Sequence, residues 1–137
     1  MVEANGLTDE QWRNLAKGLH DLADNLAPLG MSVVFHNHVG TYVETQAETA
    51  RLLDETDPAR VGWCLDIGHL AYGGGNTLSM LPAYGDRVAF LGLSYQESVE
   101  DGRELVERTG VTYEIGRDPA GELITAFAAV GLPTTVF

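Results

Sequence analysis

Two short runs constrain this chain more than any other part of it: MSVVFHNHVG (Met31 to Gly40) and VGWCLDIGHL (Val61 to Leu70). Each begins with apolar, largely β-branched residues, which favour strands, and ends in histidine, asparagine or aspartate. Between them, Thr45-Gln46-Ala47-Glu48 has the pattern of a helix capping box, and Ala47, Ala50, Leu52 and Leu53 carry the helix to about Glu55, with Asp57-Pro58 ending it. Strand, helix and strand in this order form a β-α-β unit. Its polar residues fall at the carboxyl ends of both strands, where parallel α/β folds build their sites.

The flanking sequence continues the alternation. Thr8-Asp9-Glu10-Gln11 is a second capping box, and Trp12, Leu15, Ala16, Leu19, Leu22, Ala23 and Leu26 follow at helical spacing until Pro28 and Gly30. His20 lies off that stripe and reads as a surface residue. The glycines of Tyr72-Gly73-Gly74-Gly75-Asn76 lack the spacing and lysine of a phosphate loop, so they read as a flexible connection. Further elements are expected over Leu78 to Tyr84 (helix), Val88 to Leu93 (strand), Ser98 to Gly110 (helix) and Val111 to Ile115 (strand). After them come a turn at Asp118-Pro119-Ala120-Gly121, a helix from Glu122 to Val130 and a terminal strand from Thr134 to Phe137. This predicts an α/β class: a mixed, mostly parallel sheet of about four or five strands, covered by helices on both faces.

A length of 137 residues with 45% hydrophobic and 20% charged residues fits a single globular domain over 1–137. The net charge of -12, with only 8 Lys and Arg, argues against binding nucleic acid or anionic membranes. Met1 to Gln11 has no signal-peptide pattern and no run is apolar enough to span a bilayer, so a cytoplasmic protein is expected. The lone cysteine, Cys64, excludes an intrachain disulfide and reads as an inert buried thiol.

Phe35-His36-Asn37-His38-Val39-Gly40-Thr41, Thr56-Asp57-Pro58, Leu65-Asp66-Ile67-Gly68-His69 and Tyr84-Gly85-Asp86-Arg87-Val88 resemble the xylose-isomerase-like sugar isomerase and epimerase superfamily, in its inosose dehydratase-like branch. The resemblance covers about residues 7–88 and implies that residues 1–88 are a fragment of a metal-binding TIM barrel, roughly three of its eight βα units. It implies that His36 and Asp66 face a divalent metal such as Mn²⁺, Co²⁺ or Zn²⁺, that His69 contacts a substrate hydroxyl or carbonyl, and that His38 lines the pocket. Taken singly, His69 could instead bond backbone in a loop, and Asp66 could cap a helix. His36 and His38 are expected on opposite faces of their strand, which would keep them out of one ligand shell. The superfamily continues with a further ligand histidine, whereas no histidine follows His69 here.

Residues 89–137 are similar to the back half of thioredoxin-like thiol-disulfide oxidoreductases. The similarity lies in Val88 to Ser98, Arg117-Asp118-Pro119-Ala120-Gly121-Glu122 and Gly131-Leu132-Pro133-Thr134-Thr135, and implies a cis bond at Pro133. A single cysteine leaves no dithiol for that chemistry. The two resemblances together read as a chimera, engineered or recombined, with its join near Arg87 to Ala89. Such a chain would fold without a complete active site or a native activity, and His38 and His69 would be relics. The alternatives are a metal-dependent isomerase or epimerase half-barrel, or a metal-binding module without turnover. Exposed strand edges would favour a homodimer.

Overall fold

The structure is a computed structural model that describes residues 6–127, divided after Val88 into two compact units. The first opens with α1 (Asp9–Leu26), whose capping box is complete: Thr8 Oγ1 accepts from the Gln11 N–H and Gln11 returns the bond to the Thr8 N–H. Pro28 sits in a 3-10 turn, and Gly30 at φ 70° turns the chain into β1 (Val33–His36). α2 (Gln46–Glu55) starts from the Thr45–Glu48 capping box and leads to β2 (Val61–Cys64). The strands pair in parallel, Val33 opposite Val61 through His36 opposite Cys64.

Side-chain alternation decides what covers this pair. Val33 and Phe35 with Val61, Trp63 and Leu65 point one way, into a core built by Trp12, Leu19 and Ala23 of α1 and Leu52 and Leu53 of α2. Leu52, Val61 and Leu70 are fully enclosed, each stabilising the fold by about 1.5–3 kcal/mol. The opposite face carries Val34, His36, Gly62 and Cys64, and Val34 is 58% exposed. The expectation of helices on both faces therefore fails for this unit: both long helices pack on one side, and the strands alternate.

Beyond β2 lies a helix absent from the expected elements, α3 (Ile67–Tyr72), and then α4 (Thr77–Tyr84). The glycines between them are not a loose connection. The Gly75 N–H bonds to Leu70 O at 2.8 Å, and Gly73 lies so near the Glu44 carbonyl that a Cβ would stand 2.6 Å from its oxygen. Arg87 closes the unit. It is 8% exposed, and its guanidinium donates to the carbonyls of Leu53, Thr56 and Val61 and to Thr56 Oγ1.

The second unit contains β3 (Leu91–Tyr95), α5 (Val99–Thr109), β4 (Glu114–Asp118) and α6 (Glu122–Ala126). β3 and β4 are parallel, making a second β-α-β unit. Ser98 caps α5 and Gly110, at φ 67°, ends it. The turn expected at Asp118 is present, with the Gly121 N–H bonded to Asp118 O, and the buried Asp118 carboxylate also accepts from the N–H groups of Glu122 and Ile124. β3 starts three residues later than expected because Val88 belongs to the core of the first unit, packed against its Leu53–Trp63 cluster.

The single mixed sheet is thus corrected to two separate two-stranded parallel sheets among the described residues. The terminal strand expected from Thr134 to Phe137, which would make the sheet mixed, and the cis bond expected at Pro133 lie outside the described residues. No helix among the described residues is long and apolar enough to cross a membrane.

Candidate metal centre

The carboxyl ends of β1 and β2 bring together four of the residues singled out in the sequence. Asp66 is the N-cap of α3: its Oδ1 accepts from the His69 N–H at 2.7 Å, filling one of the orphan donors of the first turn. That bond fixes the carboxylate and turns Oδ2 toward two imidazoles. His36 Nε2 lies 3.3 Å from Oδ2, and His69 Nε2 lies 3.9 Å from it. Asp66 is therefore both a helix cap and a member of a side-chain cluster.

Burial pushes the Asp66 carboxyl upward, but the hydrogen bonds from the His69 N–H and from His36, with the charges of both imidazoles, outweigh it. The group is held below the usual aspartate value. It is therefore a carboxylate at neutral pH, the form that binds a cation.

His36, Asp66 and His69 each offer one ligand atom, and these atoms lie within 4.8 Å of one another. For metal–ligand bonds of about 2.0–2.2 Å, neighbouring donors in a tetrahedral or octahedral shell stand about 2.8–3.6 Å apart. The His36–Asp66 separation of 3.3 Å falls in that range, and the His69 imidazole must draw in toward both partners to join them in one shell. Two imidazole nitrogens and one carboxylate oxygen form a donor set suited to Mn²⁺, Co²⁺ or Zn²⁺. The residues fit such an ion as three of its ligands, with further positions open.

His38 is outside that donor set. Its Nδ1–H donates to Val39 O at 2.7 Å, which leaves Nε2 as the acceptor of the ring. The ring lies against His69, with centroids 3.7 Å apart and planes tilted by 40°. The loop carrying it is held by Thr41 Oγ1, which donates to His38 O, and by the Gly40 N–H, which donates to Glu44. The expectation that His36 and His38 point to opposite faces is wrong. Strand alternation has a period of two, so residues two apart share a face, and the rings stand 5.6 Å apart. Cys64, opposite His36, lies on this same face and is half-buried rather than enclosed.

Sequence reasoning missed Asn37. If His36 and His38 share the site face, the residue between them faces the core, and a polar side chain there must find hydrogen-bond partners. Asn37 is completely buried. Its Oδ1 accepts from Trp63 Nε1–H at 3.0 Å and from the Asp66 N–H at 3.2 Å, and its Nδ2 donates to Asp66 O at 3.1 Å.

Two parallel β-α-β units, the first with imidazoles and a carboxylate gathered at its strand ends, define an α/β protein with a site suited to a cation. The chain belongs to the xylose isomerase-like TIM-barrel family, which it matches over residues 3–117. It is 42% identical over 102 residues to an inosose dehydratase of Geobacillus kaustophilus, covering 74% of this chain and 32% of that protein. It is 34% identical over 107 residues to the inosose dehydratase of Lactiplantibacillus plantarum, covering 78% and 35%. With the inosose dehydratase of Lacticaseibacillus casei the identity is 43% over 81 residues, covering 59% and 27%. The chain thus spans about a third of the length of the curated relatives it matches.

These matches overturn the reading as a chimera without native activity. The family match runs unbroken across the supposed join at Arg87 to Ala89 and on to residue 117, through most of the part likened to thioredoxin-like proteins. The similarity to that second family has no support.

Proposed function

We propose that this chain is a portion of a metal-dependent sugar-modifying enzyme of the dehydratase, isomerase or epimerase kind, and that it supplies one side of the metal site. Its substrate would be a polyhydroxy ketone of the inosose type, the substrate that the names of its relatives carry. The observation behind the reading is the convergence of His36 Nε2 and His69 Nε2 on Asp66 Oδ2, at 3.3 and 3.9 Å.

A bound divalent ion polarises a carbonyl or hydroxyl oxygen and so acidifies the proton on the adjacent carbon. The chain's own residues then have separate tasks. Asp66, kept ionised, supplies the negative charge, and His36 and His69 supply imidazole nitrogens. His38 presents Nε2 beside His69, where an imidazole could take a proton from a bound substrate.

Titration calorimetry of the chain with Mn²⁺, Co²⁺ and Zn²⁺ tests this reading. Saturable uptake of one ion per chain, abolished in Asp66→Ala, is the expected result. Heats no different between the two proteins would refute it.

A further inference from the structure

Asn37 makes two hydrogen bonds to one residue. Its Oδ1 takes the Asp66 N–H and its Nδ2 gives to the Asp66 carbonyl, so one amide grips the backbone of Asp66 on both sides. This fixes both peptide planes flanking Asp66, which sits at φ -96° and ψ 106°, and hence the direction of its Cα–Cβ bond. The carboxylate can then turn only about its two side-chain torsions, and the bond from the His69 N–H to Oδ1 restrains both. The second acceptor position of Asn37 Oδ1 is filled by Trp63 Nε1–H, so the amide is itself locked in orientation by a buried indole.

Burial of the Asn37 side chain also turns its neighbours His36 and His38 together toward the opposite side. One residue therefore governs both the aim of the carboxylate and the facing of two imidazoles. An apolar residue could fill the same space against Trp63, but it would leave the Asp66 N–H and C=O unheld.

We propose that Asn37 is a positioning residue for the metal centre, holding Asp66 so that Oδ2 meets His36 and His69. The inference rests on the metal reading of this site. Outer partners that orient ligands typically change metal affinity by about 10–100-fold when removed.

The probe is Co²⁺ alone, followed by its visible absorption on the full chain. Measurements are made at a temperature where circular dichroism shows each variant folded, with metal-free melting recorded separately. Asn37→Ala is expected to weaken Co²⁺ binding by about 10–100-fold and to alter the absorption band. Asn37→Asp keeps the size and the Oδ1 acceptor but loses the donor to Asp66 O, and it is expected to weaken binding in the same direction. It also serves if the alanine variant does not fold. Trp63→Phe removes the indole N–H together with part of the buried ring and leaves the grip on Asp66; it should lower the metal-free melting point while holding Co²⁺ affinity within about threefold.

Folded Asn37 variants that bind Co²⁺ as tightly as the unmodified chain, with the same spectrum, would overturn the inference and leave the metal reading intact. Equal losses in Trp63→Phe and Asn37→Ala would also overturn it, since general loosening would then explain both. An unmodified chain that takes up no Co²⁺ would overturn both the inference and the reading on which it rests.

Discussion

The rings of His38 and His69 lie against each other, 3.7 Å between centroids and tilted by 40°, although one belongs to the loop after β1 and the other to the first turn of α3. Of the two, only His69 is placed near Asp66 Oδ2, at 3.9 Å, so the proposed donor set includes His69 and leaves out His38. His36→Ala and His69→Ala are each expected to weaken Co²⁺ or Zn²⁺ binding by at least about tenfold, and His38→Ala by no more than about threefold. Direct titration of the three variants checks the order. If His38→Ala has the largest effect, the donor set has been assigned wrongly.

Arg87 supports the first unit from within. Its guanidinium serves the carbonyls of Leu53 and Thr56 at the end of α2 and that of Val61 at the start of β2, without a carboxylate partner among these bonds. Removing it leaves several buried acceptors unsatisfied, each costing about 1–3 kcal/mol. Arg87→Ala is expected to lose about 3–5 kcal/mol in urea unfolding, enough to unfold many domains of this size. Arg87→Lys should recover only part of this, because an ammonium cannot span the same fork of acceptors. A loss below about 1 kcal/mol in the alanine variant would contradict this account.

Tyr84 gives the fold a dependence on alkaline pH. Burial, and then its hydrogen bond to Asp54 at 3.0 Å, raise the phenol above its ordinary value near 10.0. The folded chain therefore keeps this proton at a pH where the unfolded chain has lost it. The stabilising contribution is fully present below the unfolded value and disappears as pH rises through the folded one. Tyr84→Phe should be less steeply destabilised above pH 10.0 than the unmodified chain in denaturant titrations. Parallel alkaline limbs would show that Tyr84 is not responsible.

Much of the fold was legible because its signals are local. Thr8 with Gln11 and Thr45 with Glu48 lie three residues apart, and their reciprocal bonds start the two long helices where expected. α3 was missed because six residues give no periodicity to read, and its cap, Asp66, reads equally as a ligand. The role of Asn37 depends on Trp63 and Asp66, 26 and 29 residues away in sequence, so no window along the chain contains it. Val88 looked like the first residue of a strand, yet it completes a core cluster formed by Leu53 and Trp63. The likeness of the second part to another family came from short segments such as Asp118 to Gly121, which record turn and cap chemistry common to many α/β proteins.

His36, Asp66 and His69 are proposed to bind a divalent ion in the folded chain. The most direct test is a thermal melt at fixed protein concentration, first in EDTA and then with Mn²⁺, Co²⁺ or Zn²⁺, repeated on Asp66→Ala. An ion at about one hundred times its dissociation constant stabilises the folded state by about 2.7 kcal/mol, a rise of several degrees for a chain of this length. The account predicts that rise in the unmodified chain and its loss in Asp66→Ala. A cooperative melt that no metal moves, or a rise that survives in Asp66→Ala, would contradict it.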